Sequence, residues 1–132
     1  MIPIVTVDDN FGVSFNNRRL SRDSVLCEYL IEFTKNKTLW MDEYSSSIFS
    51  QFNAANIKID NDFISRAESG DYCFIEKKSL PPSSKKLIVC RWNREYPADI
   101  YLGLDVKKYH VTMIDEIKGK SHERISIEEW NL

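Results

Sequence analysis

His110 and His122 are the only imidazoles in this chain of 132 residues. Proton-shuttling chemistry at neutral pH therefore starts with them. Two histidines beside a cation can cleave RNA, one serving as base and the other as acid. His110 falls in the strand-like run YHVTMIDEI (109–117), on the same side as Thr112, and His122 lies in the polar loop KGKSHER. The pair meets only if that loop folds back. The plainer reading is a half-exposed strand histidine and a loop histidine among polar neighbours. A serine nucleophile would also need one of these imidazoles. The serines of SSS (45–47) and PPSS (81–84) stand in capping or loop contexts, and none follows a GxSxG pattern.

Other chemistry has less to work with. There is no HExxH, no calcium-binding loop and no Cys/His cluster at zinc spacing. Acidic pairs such as Asp8-Asp9, Asp60 with Asp62, and Asp115-Glu116 have magnesium-binding oxygens, but such pairs also mark ordinary solvated turns. Glycines stand only at 12, 70, 103 and 119, too far apart to cradle a phosphate. No cofactor and no metal are expected.

The segment RWNREYPAD (91–99) concentrates two arginines, a tryptophan and a tyrosine. Strand periodicity in KLIVCRW (86–92) puts Ile88, Cys90 and Trp92 on one side and Leu87, Val89 and Arg91 on the other. Trp92 then belongs to the core, and Pro97 makes the following link a turn. Arg94 with Asp99, or Arg91 with Glu95, can pair across it. An interface anchor is compatible with the same geometry, because Trp, Tyr and Arg contribute disproportionately to binding. Lysines 77, 78, 85, 86, 107, 108, 118 and 120 join these arginines in the second half, and Trp92, Tyr96 or Tyr101 could stack on bases. Acids are interleaved among them, which argues for a mixed soluble surface and makes a nucleic-acid partner a minor alternative.

Composition sets the bounds. The apolar and charged fractions, 42% and 29%, are those of a globular protein, and the length suits one domain, residues 1–132. Net charge is −2, without the basic excess that phosphate binding favours. Residues 1–70 hold ten acids and seven bases, and residues 71–132 ten and eleven, so the first half would suit a basic partner. No apolar run approaches the roughly 20 residues of a membrane-spanning helix, and MIPIVTVDDN lacks the layout of a signal peptide. Cys27, Cys73 and Cys90 are odd in number and widely spaced, which fits reduced thiols and a cytosolic setting.

These groups are positioned by elements readable from periodicity. IPIVTV (2–7) is rich in β-branched residues and reads as a strand. FGVSFNNRRL (11–20) reads as a hairpin turning at Asn16-Asn17. A helix capped by Ser21 follows to about Asn36, with Val25, Leu26, Tyr29, Leu30 and Phe33 on one face. TLWM (38–41) is a strand and DEYSSSIFSQF (42–52) a short helix with Ile48, Phe49 and Phe52 inward. IKID (57–60) is extended, and another short helix runs from Asn61 or Asp62 towards Gly70. Beyond Gly70, YCFIEK (72–77), KLIVCRW (86–92), DIYLGL (99–104) and YHVTMIDEI (109–117) are strand-like runs joined by short links, which suggests an antiparallel meander. SIEEWNL (126–132) closes the chain as a strand end or a helical turn. The sum is an α+β fold, a helical N-terminal half packed on one face of an antiparallel sheet formed mainly by residues 72–117. The sheet's other face is left for solvent, the termini or a partner.

RRLSRD (18–23), MDEYSSSIF (41–49), GDYCFIE (70–76), RWNREYPAD (91–99) and GKSHERISIEEW (119–130), with the chain length and plain start, give the sequence its likeness. It resembles the small immunity proteins of bacterial contact-dependent growth inhibition systems, which protect a cell from nuclease toxins. The resemblance implies a non-enzymatic inhibitor that binds a cognate toxin domain and covers its active site or substrate surface. Toxin clefts of this kind tend to be basic. Glu28 and Glu32 on the first helix, with Asp42, Glu43, Asp60 and Asp62 beyond it, are then the acidic contact candidates. Tyr44, Arg94 and Tyr96 are the candidate anchors.

Overall fold

The computed structural model describes all residues 1–132. Its centre is a seven-stranded mixed sheet, not the antiparallel meander expected above. The chain runs β1 (Ile2–Val7), β2 (Gly12–Phe15), β3 (Arg18–Arg19), α1 (Ser24–Phe33), β4 (Leu39–Met41), α2 (Glu43–Ser46), β5 (Ile57–Ile59), α3 (Phe63–Arg66), β6 (Tyr72–Phe74), β7 (Lys86–Arg91), β8 (Ile100–Tyr101), a 3-10 turn (Val106–Lys108), β9 (His110–Ile117) and β10 (Ile125–Asn131). The large sheet has the order β5-β4-β6-β1-β7-β10-β9. Its first five strands are mutually parallel, and β10 and β9 close that edge antiparallel. A small second sheet, β3-β2-β8, lies apart.

The correction has a physical basis in the sequence. A half-wet antiparallel strand alternates apolar and polar residues; a parallel strand covered on both faces is apolar throughout. β1 is buried from Pro3 to Val7 and β7 from Leu87 to Cys90 without alternation. Those runs signal parallel strands in the middle of a sheet. β1 lies between β6 and β7, pairing Ile2 with Tyr72 and Ile4 with Ile88. β6 and β7, consecutive along the chain, are therefore not adjacent in the sheet.

The helical half also shrinks. Only α1 exceeds a single turn, with 10 residues; α2 and α3 have four each. α1 buries Leu26, Cys27 and Leu30 as its spacing indicates, while Val25 is exposed. Its cap is Asp23 and not Ser21, with the carboxylate accepting the Val25 N–H. The hairpin between β2 and β3 turns at Asn16-Asn17, both at positive φ. SIEEWNL lies almost wholly within β10, a seven-residue strand.

Both faces of the sheet are covered over its inner strands β6, β1, β7 and β10. Ile4, Phe74, Ile88, Cys90 and Trp92 pack under α1 against Leu26 and Leu30. On the reverse, Val5, Val7, Leu87 and Val89 pack against Trp130 and Tyr109; α3 brings in Phe63, and loops bring in Leu80 and Leu102. Each fully buried Leu or Ile contributes about 1.5–3 kcal/mol by leaving water. The chain thus covers with its own loops the face expected to await a partner. No helix is long and apolar enough to cross a membrane.

Candidate functional site

In open sheets of parallel strands, ligands bind outside the carboxyl ends, where successive connections leave in opposite directions. Here the chain leaves β1 towards β4, on the β6 side, and leaves β6 towards β7, on the far side of β1. The carboxyl ends of β1, β6 and β7 therefore define the crevice. Its floor is filled. Thr6, Leu26, Phe74, Glu76 and Trp92 enclose only about 10 Å³ of free space, near the lower limit for a single water. Two open clefts flank it. One, of about 620 Å³, is bordered by Arg22, Ser47, Gln51 and Lys120. The other, of about 500 Å³, is bordered by Phe15, Arg18, Arg19 and Tyr96.

Above the crevice stands a hydrogen-bonded line that the sequence does not announce. Asp23 Oδ2 lies 2.9 Å from His122 Nδ1, and His122 Nε2 lies 2.9 Å from Ser21 Oγ. The Tyr96 hydroxyl approaches the same Nε2 at 3.1 Å. The Trp92 ring stacks on the imidazole at 4.4 Å between centroids. His122 is 2% exposed and Asp23 3%, while Ser21 is half-buried. A carboxylate only accepts, so Nδ1 carries a proton; in the neutral imidazole Nε2 then offers its lone pair to a hydroxyl.

Asp23 is fixed from several sides. Oδ1 accepts the N–H groups of Val25 and Lys120, and Oδ2 accepts that of Ser121. Burial by itself would raise its pKa. The bonds from Lys120, His122, Ser121 and Val25 outweigh burial and hold the carboxyl well below the usual range. Gly119 makes this approach possible. A Cβ there would stand 2.9 Å from Asp23 Cγ and 2.9 Å from the His122 carbonyl oxygen, and would clash with Asp23 Oδ2.

A second buried constellation lies beside the first. Arg19 binds Glu76 with two bonds, Nε to Oε2 and Nη2 to Oε1, each 2.9 Å. Ser45 Oγ donates to Glu76 Oε1 at 2.9 Å. The Arg19 guanidinium lies 4.2 Å from the Tyr44 ring centre, and Lys77 Nζ lies 3.9 Å from it. Glu76 is 5% exposed. This group ties the β3 segment to the start of α2.

The alternative of a catalytic histidine pair does not form. His110 pairs opposite Asn131 at one end of the β9–β10 hairpin, and His122 occupies its connecting loop at the other. The length of β9 separates them, roughly 25 Å for eight residues. A ribonuclease built on both imidazoles is thereby excluded. The basic second half makes no common rim either. Lys77 and Lys78 lie over Tyr44 and Phe63, Lys86 pairs with Glu129, and Arg124 faces Glu116. Trp92 stacks on His122 and is 3% exposed, so it has no face for a base. The nucleic-acid and adaptor readings fall with these placements.

Within RWNREYPAD neither expected ion pair is made. Arg94 donates to the Ser121 carbonyl, and Asp99 accepts the Asn16 N–H. Arg91 lies over the Phe11 ring, and Asp8 Oδ2 holds the turn through the Tyr96 N–H.

The acidic candidates are dispersed. Glu28 is exposed on α1, Glu32 pairs with Lys35, and Asp42 caps α2 beside exposed Glu43. Asp60 binds Arg66 and Asp62 binds Ser65. Only Tyr96 touches the imidazole line directly. Ser21 and Asp23 were missed because Ser21 reads as a helix cap, and the partner of Asp23 stands 99 positions away.

No protein-family model matches the sequence, and no curated protein matches it. Among solved structures, the chain is similar to a dihydrofolate reductase from Enterococcus faecalis complexed with NADP(H) and RAB-propyl. The superposition has a TM-score of 0.59 at 12% identity and covers 98% of this chain and 94% of that one. That finding overturns the likeness to growth-inhibition immunity proteins, and the toxin inhibitor and non-enzymatic role inferred from it fall too. The α+β class gives way likewise: the chain has the mixed α/β fold of dihydrofolate reductase.

Proposed function

We propose that the chain is a hydrolase acting by acyl transfer, with Ser21 as nucleophile, His122 as general base and Asp23 as the group that orients it. One observation carries this reading: the three side chains form a single line, 2.9 Å at each joint, above the carboxyl ends of the central parallel strands. A nucleophile in reach of a base that is itself oriented by a third group is the arrangement serine hydrolysis requires.

The neighbour's NADP(H) is not carried over. A pyrophosphate needs free N–H groups at a helix start, approached closely through glycine. Here α1 and α2 begin with Asp23 and Asp42, whose carboxylates already accept the N–H groups of Val25 and Ser45. Asp60 and Asp62 precede α3. None of the four glycines opens a helix. The residues present do not fit the dinucleotide, and no hydride step is derived.

In the proposed reaction Ser21 Oγ bonds to the acyl carbon of an ester while its proton passes to Nε2. Asp23 stabilises the imidazolium that forms. The leaving alkoxide takes that proton as the carbon–oxygen bond breaks, giving an acyl-serine. Water then repeats the sequence, losing its proton to Nε2 and releasing the acid and Ser21. Tyr96 contends for the same lone pair, so its hydroxyl must turn aside when Ser21 reacts. The buried thiols take no part: burial pushes Cys27 up to about 12 and Cys73 to about 11. Three free, buried cysteines support a reducing, cytosolic setting.

The test is covalent labelling with a fluorophosphonate and turnover of a p-nitrophenyl ester, followed by mapping of the labelled residue. Stoichiometric label on Ser21, lost in Ser21→Ala and His122→Gln, is the expected outcome. An unlabelled, fully folded protein at pH 7–9, or label elsewhere, removes the reading.

A further inference from the structure

The two edges of the large sheet are unlike. β5, at one edge, has three residues with Lys58 in the middle, a short and charged edge that resists further pairing. β9, at the other, has eight residues and is exposed from His110 to Glu116. Its inner side bonds β10, and no strand lies beyond it. The stretch from His110 to Ile114 has no formally charged residue other than a titratable imidazole, no proline and no glycine. Val111, Met113 and Ile114 are 38%, 52% and 38% exposed. Ladder groups and apolar side chains thus face water together, as at an unpaired edge.

We infer that β9 is an interface between two copies of this chain, paired antiparallel about a two-fold axis at Thr112. The charge pattern selects this occupant. Lys107 and Lys108 precede the strand, and Asp115 and Glu116 close it. An antiparallel partner brings the basic start of one copy to the acidic end of the other, twice over. A parallel partner would set like charge against like. With Thr112 opposite its own copy, Val111 faces Met113 on both sides, and the Lys107-Lys108 segment of each copy lies near the Asp115-Glu116 segment of the other. Cross-strand apolar and opposite-charge pairs of this kind stabilise a sheet. The register shift in the β9–β10 ladder skips Ile114, so the regular stretch available for pairing is His110 to Met113.

The inference is independent of the hydrolase reading, since β9 contributes nothing to the Ser21 line. It is tested by sedimentation equilibrium of the full chain from 1 to 200 µM. The expected result is a species of twice 15.5 kDa that dissociates as salt rises. Met113→Lys, on an exposed position, should give a monomer with unchanged circular dichroism. Lys108→Glu should weaken association at least tenfold, and adding Glu116→Lys should restore it. A wild type that stays monomeric at 200 µM overturns the inference. So does a dimer that survives Met113→Lys, or a charge swap that fails to rescue.

Discussion

Two buried polar constellations stand side by side over the same strand ends, and they do different things with charge. Arg19 and Glu76 are both ionised, joined by two bonds, and Ser45 takes up a remaining lone pair. In the other, Asp23, its carboxyl held well below the usual range, meets Nδ1 of His122, whose far nitrogen is shared by two hydroxyls. The first arrangement is saturated and holds the segment before α1 in place. The second keeps one lone pair in play beside a half-buried serine. Satisfying every group gives a lock; in the proposed hydrolase, one nitrogen with two claimants supplies the reactive centre.

The contrast can be broken most severely at the lock. Arg19→Ala strands Glu76 as an uncompensated buried charge and should cost about 3–5 kcal/mol in urea unfolding. Arg19→Lys, which keeps the charge without the fork, should recover part of it. Asp23→Ala removes a helix cap and the anchor of residues 120–122, and a loss of about 2–4 kcal/mol is expected. That variant should also abolish labelling of Ser21. Gly119→Ala, which drives a methyl group into Asp23, should cost about 1–3 kcal/mol by the same assay.

Acid sharpens the difference. The Asp23 carboxyl titrates lower in the folded chain than in the unfolded one, where its pKa is about 3.9. Its contribution to stability is therefore complete above that value and declines as pH falls through the folded pKa. Unfolding free energy measured downward from pH 5 should fall less steeply in Asp23→Asn than in the wild type. At the small end, Ser21→Ala should change stability by less than about 1 kcal/mol while eliminating the label. Tyr96→Phe, which removes the competing hydroxyl, should raise the labelling rate several-fold; a slower rate would mean that Tyr96 assists the base.

Local structure was largely legible in the residues themselves. The α1 stripe of Leu26 and Leu30, the Asn16-Asn17 turn and the inward parity of Trp92 follow from spacings of three, four and two. The sheet was misread because β-propensity identifies a strand without naming its neighbour. The unbroken burial of PIVTV and LIVC held the hint of parallel pairing, and short links after Gly70 pointed the other way. Motif likeness to immunity proteins failed for a related cause: segments such as GDYCFIE and GKSHERISIEEW hold ordinary buried strands, which do not name a fold.

By itself, the order of residues determined which segments become helix or strand and which side chains turn inward, because these depend on neighbours one to four positions away. The tertiary structure alone decided that Ser21 and Asp23 meet His122, and that β1 runs between β6 and β7. Such contacts join residues far apart in the chain, and they exist only once the whole core has closed around them.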